Sequence, residues 1–114
     1  MAIRGIIWRK SSDSQAAEIL FEQIIMNYEF IGINGEVIKS KNFIRFKADN
    51  GDCWDIRPAS EIGGLGLRCN ISYVERGIPK EVVYNIILPC TIAYPYRAIT
   101  YFGDYGLEGD DYNE

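Results

Sequence analysis

The stretch Ile71-Ser72-Tyr73-Val74-Glu75-Arg76-Gly77 is the part of this sequence best suited to chemistry. It is an apolar run that ends in an acid and leads through a short loop into a helical pattern. Phosphoryl-transfer enzymes place a carboxylate in this way, beside Mg²⁺ and the attacking water. An acid at a strand end also occurs widely with no such role. Arg9 and Lys10 close an earlier apolar run, and Arg68 and Arg76 flank the Glu75 stretch. These four bases are candidate contacts for an anion or a partner; the plain alternative is that they are solvated charges at strand ends. Gly63-Gly64-x-Gly66 lacks the Gly-Lys-Ser/Thr ending of a phosphate loop and precedes a strand, not a helix, so it reads as a connector.

Composition excludes several classes of chemistry. Histidine is absent, which removes Ser–His–Asp and Cys–His catalysis and histidine-ligated metals. Cys53, Cys69 and Cys90 are odd in number and form no Cys-x-x-Cys pair, so they read as small buried fillers in a reducing compartment. No metal site is expected. The net charge of −4 argues against a general nucleic-acid binder. The bias comes from Asp104, Glu108, Asp110, Asp111 and Glu114; residues 1–103 are nearly neutral and form the expected single domain, with 104–114 as an acidic tail. The N-terminus shows no signal-peptide pattern and no run is long enough for a membrane span, so a cytoplasmic location is expected.

The elements that must position these residues follow from periodicity. Ile3–Trp8 reads as a short buried strand. Ser12 and Gln15 have capping-box spacing, and a helix over Ser14–Glu29 places Ala17, Leu20, Phe21, Ile24, Ile25 and Tyr28 on one face. The period then changes to two. Phe30–Ile33 and Glu36–Ile38 flank Asn34-Gly35, which predicts a two-residue hairpin turn. Asn42–Lys47 and Cys53–Arg57 read as a second hairpin around Asp49-Asn50-Gly51, stopped by Pro58. Cys69–Val74 reads as a core strand. Pro79 opens a helix that Pro89 is expected to end, and Arg97–Phe102 is a last strand. The class is α/β: a small mixed sheet with two main helices in the order β-α-ββ-ββ-β-α-β, with parallel members joined through helices.

Taken in order, several of these stretches resemble the ATPase core of viral large terminase subunits, the DNA-packaging motors of tailed phages. Gly5–Lys10 with Gln15–Phe21 is similar to the strand and helix after that family's nucleotide-binding loop. Phe43–Phe46 with Asn50-Gly51 resembles its hairpin, Gly64–Asn70 its approach to the Walker B strand, and Ile71–Glu75 that strand itself. Ile78–Val82 and Ile86–Pro89 resemble the following helix, and Arg97–Gly106 the coupling segment. The resemblance implies a partial P-loop-ATPase-like core in which Glu75 is the Walker B-like acid. The sequence departs from the family in having no Walker A loop and no nuclease domain. One of the paired Walker B acids is lost in either register, Val74-Glu75 or Glu75-Arg76.

Two functional expectations result. The first is a phage or prophage protein, a terminase fragment inactive alone and bound to a protein partner or a second copy through an open sheet edge. It would take Mg–ATP only if a partner completed the site; no cofactor is expected for the isolated chain. The second is a non-enzymatic phage-encoded inhibitor that sequesters a host factor. For it speak the small size and the tyrosines Tyr94, Tyr96, Tyr101, Tyr105 and Tyr112, a residue type enriched at interfaces. Neither reading calls for a membrane or for direct nucleic-acid contact.

Overall fold

The computed structural model describes residues 2–59, 67–91 and 98–103. The glycine connector other than Leu67, the acidic tail, and Tyr94, Tyr96, Tyr105 and Tyr112 lie outside them. The described chain is α/β: one mixed six-stranded sheet with a helix on each face. Its strands are β1 (Arg4–Arg9), β2 (Gly35–Lys39), β3 (Ile44–Ala48), β4 (Cys53–Pro58), β5 (Ile71–Glu75) and β6 (Ala98–Phe102). Their spatial order is β2-β3-β4-β1-β5-β6. The β1–β4, β1–β5 and β5–β6 pairs are parallel, and β2–β3 and β3–β4 antiparallel. β1 fills the centre of a continuous ladder, so the described sheet has its outer strands at β2 and β6.

Helix α1 (Ala16–Phe30) buries Ala17, Phe21 and Ile24 against one sheet face, where Ile7, Phe46, Trp54 and Ile56 meet them. This is the predicted apolar face. Its start differs from expectation. Gln15 is the N-cap and makes no side-chain cap bond, so Ser12 and Gln15 form no capping box. The Ser14 hydroxyl goes instead to Glu75.

The helix end also corrects the reading of Asn34-Gly35 as a hairpin turn. α1 runs through Phe30, and Gly32 (φ +86°) closes it in a Schellman motif. The Ile33 N–H donates to the Tyr28 carbonyl at 2.9 Å and the Gly32 N–H to the Glu29 carbonyl at 3.0 Å. No strand forms over residues 30–33. Gly35 begins β2, which pairs with β3 across residues 40–43. A Cβ at position 35 would lie 2.4 Å from the Lys47 carbonyl oxygen. Glycine is needed there for close approach of two strands, not for a turn.

On the other face, α2 covers residues 80–90 directly after Pro79, as an α turn at Lys80–Val82, a π turn at Val83–Ile87 and an α turn at Leu88–Cys90. Pro89 therefore lies inside the helix and does not end it. Proline cannot donate to the carbonyl four residues back and crowds it, and the wider π turn lies where that bond is lost. The buried Thr91 hydroxyl then closes the helix on the Ile87 carbonyl at 2.6 Å. It also reaches Ser72 Oγ at 2.7 Å, which accepts the Trp8 indole N–H at 3.1 Å. This chain of bonds ties β1, β5 and α2 together.

Cys69 and Cys90 are buried, Cys53 half-buried, and all three are free thiols. Burial pushes each thiol above its ordinary value, which fits filler residues and not reactive ones.

A second hub, centred on the buried Asp52, joins the start of β1, the end of α1 and the β3–β4 turn. Asp52 accepts the Ile3 N–H at 2.8 Å and the Tyr28 hydroxyl at 2.6 Å, and Tyr28 accepts the Trp54 indole N–H at 3.0 Å. Burial first, and then the bond to Asp52, pushes the Tyr28 hydroxyl up to about 12. A phenol raised in the folded state contributes stability that is complete below the unfolded value near 10. That contribution is lost as pH rises through the folded value. Urea unfolding from pH 9.5 to 12 should therefore show a fall in stability that shrinks in Tyr28→Phe. An unchanged fall in the variant would contradict this.

Candidate functional site

The structure separates the sequence-predicted site residues into two places. Arg9, Lys10, Glu75 and Arg76 meet at the carboxyl ends of β1 and β5, where open α/β sheets commonly bind ligands. Arg68 precedes β5 at its opposite end, roughly 20 Å away along the strand.

At the carboxyl end Glu75 is buried, and each of its oxygens accepts a hydrogen bond. One accepts the Lys10 backbone N–H at 2.8 Å and the other the Ser14 hydroxyl. The carboxylate thus fastens the β1–α1 loop to β5. The Arg9 guanidinium donates to the Ser14 carbonyl and lies 3.3 Å from Glu18 on α1, while its Nε is buried without a partner. The Lys10 stem crosses Gly77, where an added Cβ would meet its Cδ at 3.0 Å. Arg76 donates to the Gly103 carbonyl and its own N–H to the Phe102 carbonyl, which locks the ends of β5 and β6.

These bonds make Glu75 a structural carboxylate, and mutation should show it. Ser14→Ala removes a charge-assisted bond and should cost about 1.5 kcal/mol. Ser12→Ala, at the expected cap that does not form, should stay within about 0.5 kcal/mol. Thermal melts distinguish the two; equal losses would restore the capping box. Among the described residues no group of three or more His, Cys, Asp or Glu side chains is arranged to hold a metal ion.

The second place is a sheet face that periodicity alone did not single out. α1 spans β1, β3 and β4 on its side, whereas α2 packs over β1 and β5 on the other. Side chains of β3 and β4 on the α2 side are left uncovered by these helices. Register assembles them in rows. Lys47, Cys53 and Arg4 are direct cross-strand neighbours, and so are Arg45, Asp55 and Ile6. With Arg57 and Arg68 they line a cleft of about 520 Å³.

Asp55 organises this cleft. Arg45 donates to it through Nε at 2.7 Å and Nη2 at 3.0 Å, and Arg57 through Nε at 2.9 Å. Both guanidiniums also stack on the Phe43 ring, 4.4 and 4.7 Å from its centroid. Hydrogen bonding to Asp55 raises Arg45 further above its ordinary value. Among the described residues Arg4, Lys47 and Arg68 make no ion pair. Five cations thus share a cleft with one carboxylate, in a chain whose overall charge is negative.

A sequence signal for this face existed. Arg45 and Lys47 alternate with Ile44 and Phe46, and Asp55 and Arg57 with Trp54 and Ile56. Two strands with one charged face each imply a sheet half that water can reach. Only the register joins their charges into one cleft.

No helix among the described residues is long and apolar enough to cross a membrane. Comparison of the chain with protein-family models, with curated proteins and with solved structures finds no match to any of them.

Proposed function

We propose that this chain is a non-enzymatic binding protein that works by engaging a protein partner, in the manner of an inhibitor or sequestering factor. One observation carries the reading: Glu75, the acid placed for nucleotide chemistry, is buried and spends both oxygens on Lys10 and Ser14. A carboxylate that is buried and already bonded through each oxygen would have to break these contacts to reach an incoming Mg²⁺. Among the described residues Arg4, Lys47 and Arg68 add cations without an ion pair to the β3–β4 cleft, and charge of one sign gathered in a cleft suits recognition of an oppositely charged partner.

A terminase-like relic completed by another chain is the second reading. In its favour, β5 is an interior parallel strand that ends in an acid. A complementing strand would have to join at β2 or β6, since β1 holds the centre. Titration with Mg–ATP, followed by calorimetry and phosphate release, separates the two. The binding reading expects no Mg²⁺-dependent ATP binding and no turnover. Tight binding that Glu75→Gln abolishes would overturn it.

A further inference from the structure

The geometry points to the occupant of the basic cleft: a carboxylate-rich segment of a protein partner, laid along β3 and β4. This rests on the binding reading above and adds the partner's chemistry.

Charge gives the sign of the ligand. Arg4, Arg45, Lys47, Arg57 and Arg68 outnumber Asp55 five to one around the same cleft. Preorganisation gives its strength. Asp55 and Phe43 hold Arg45 and Arg57 in place, so a ligand need not freeze those two side chains on binding. Asp55 uses Nε and Nη2 of Arg45 but only Nε of Arg57, which leaves terminal N–H groups for an incoming carboxylate. Spacing gives its form. Rows two residues apart on a strand repeat at about 6.6 Å, the spacing of carboxylates at alternate positions of an extended segment.

Two features favour a protein segment over single-stranded nucleic acid. Nucleic-acid sheet surfaces offer aromatic faces for base stacking, whereas no aromatic residue lines this cleft among the described residues, and the nearby Phe43 ring is covered by two guanidiniums. The chain's charge of −4 also opposes long-range attraction of a polyanion, while a short acidic segment feels the cleft within a Debye length of about 8 Å.

The test titrates the full chain with a ten-residue peptide of alternating glutamate and serine, against a lysine–serine peptide and a fifteen-residue oligothymidylate. Wild type should bind the acidic peptide, more weakly as salt rises. K47E/R68E, at two exposed positions, should weaken it at least tenfold, and K47Q/R68Q should weaken it less. E22Q on α1 should leave it unchanged. No binding of the acidic peptide, equal binding by K47E/R68E, or tighter binding of the oligonucleotide would each overturn the assignment. These outcomes are separate from the Mg–ATP result: ATP turnover would sink the binding reading, whereas a silent peptide sinks only the acidic partner.

Discussion

Replacing Gly5 with alanine is expected to cost about 3 kcal/mol or more, the upper end of overpacking penalties. A Cβ at this position would lie 2.2 Å from two carbons of the Trp54 ring. The ring has little freedom to withdraw. It is buried, its indole N–H is bonded to Tyr28, and it lies 5.9 Å from Tyr73 by centroid. β1 cannot shift either, since it pairs on both sides with β4 and β5. For a chain of this size the melting temperature should fall by roughly 10 °C or more. Gly32→Ala is the control. Nothing approaches its added Cβ, so only the strain of φ +86° remains, about 1 kcal/mol. Trp54→Leu should restore room, and a double-mutant cycle should then give a coupling above about 1 kcal/mol between positions 5 and 54. Equal losses for Gly5→Ala and Gly32→Ala would show that the ring yields.

Asp55→Ala should be the next most damaging change, at about 3 kcal/mol. Removing one partner of a buried ion pair leaves the other charged and unpaired, at a cost of about 3–5 kcal/mol. Here the loss belongs at the lower end. The Arg45 side chain keeps 32% of its exposure and can turn to water, whereas Arg57 keeps only 12%. Neutralising the stranded cation should therefore recover stability. Asp55→Ala combined with Arg57→Leu should melt above Asp55→Ala alone, and combined with Arg45→Leu should recover less. If neither second change helps, Asp55 acts through packing and not through charge. Asp55 also links stability to recognition, because the carboxylate that holds the fold here is the one that sets the geometry of the basic cleft.

Much of the architecture was legible from residue order. The apolar spacing of Ala17, Phe21 and Ile24 identifies α1 and its buried face, because a helix of 3.6 residues per turn brings only those positions to one side. Short apolar runs separated by helices implied a sheet with parallel members, and the structure assigns these as β1–β4, β1–β5 and β5–β6. The errors were local patterns with two physical outlets. Asn34-Gly35 can turn a hairpin, yet Gly32 was required to close α1 and Gly35 to pass the Lys47 carbonyl. Ser12 can cap a helix, yet Ser14 was drawn to a carboxylate sixty-one residues away.

The acid in Glu75 was visible from sequence, but its availability was not. Periodicity reports which side chains leave water, and that property is fixed within a few residues along the chain. Which buried carboxylate meets which donor depends on register between strands distant in sequence, and on how far each helix extends across its face. Those two quantities gave each Glu75 oxygen a donor from the β1–α1 loop. They also brought Arg4, Arg45, Lys47 and Arg57 together on a part of the sheet that neither described helix covers.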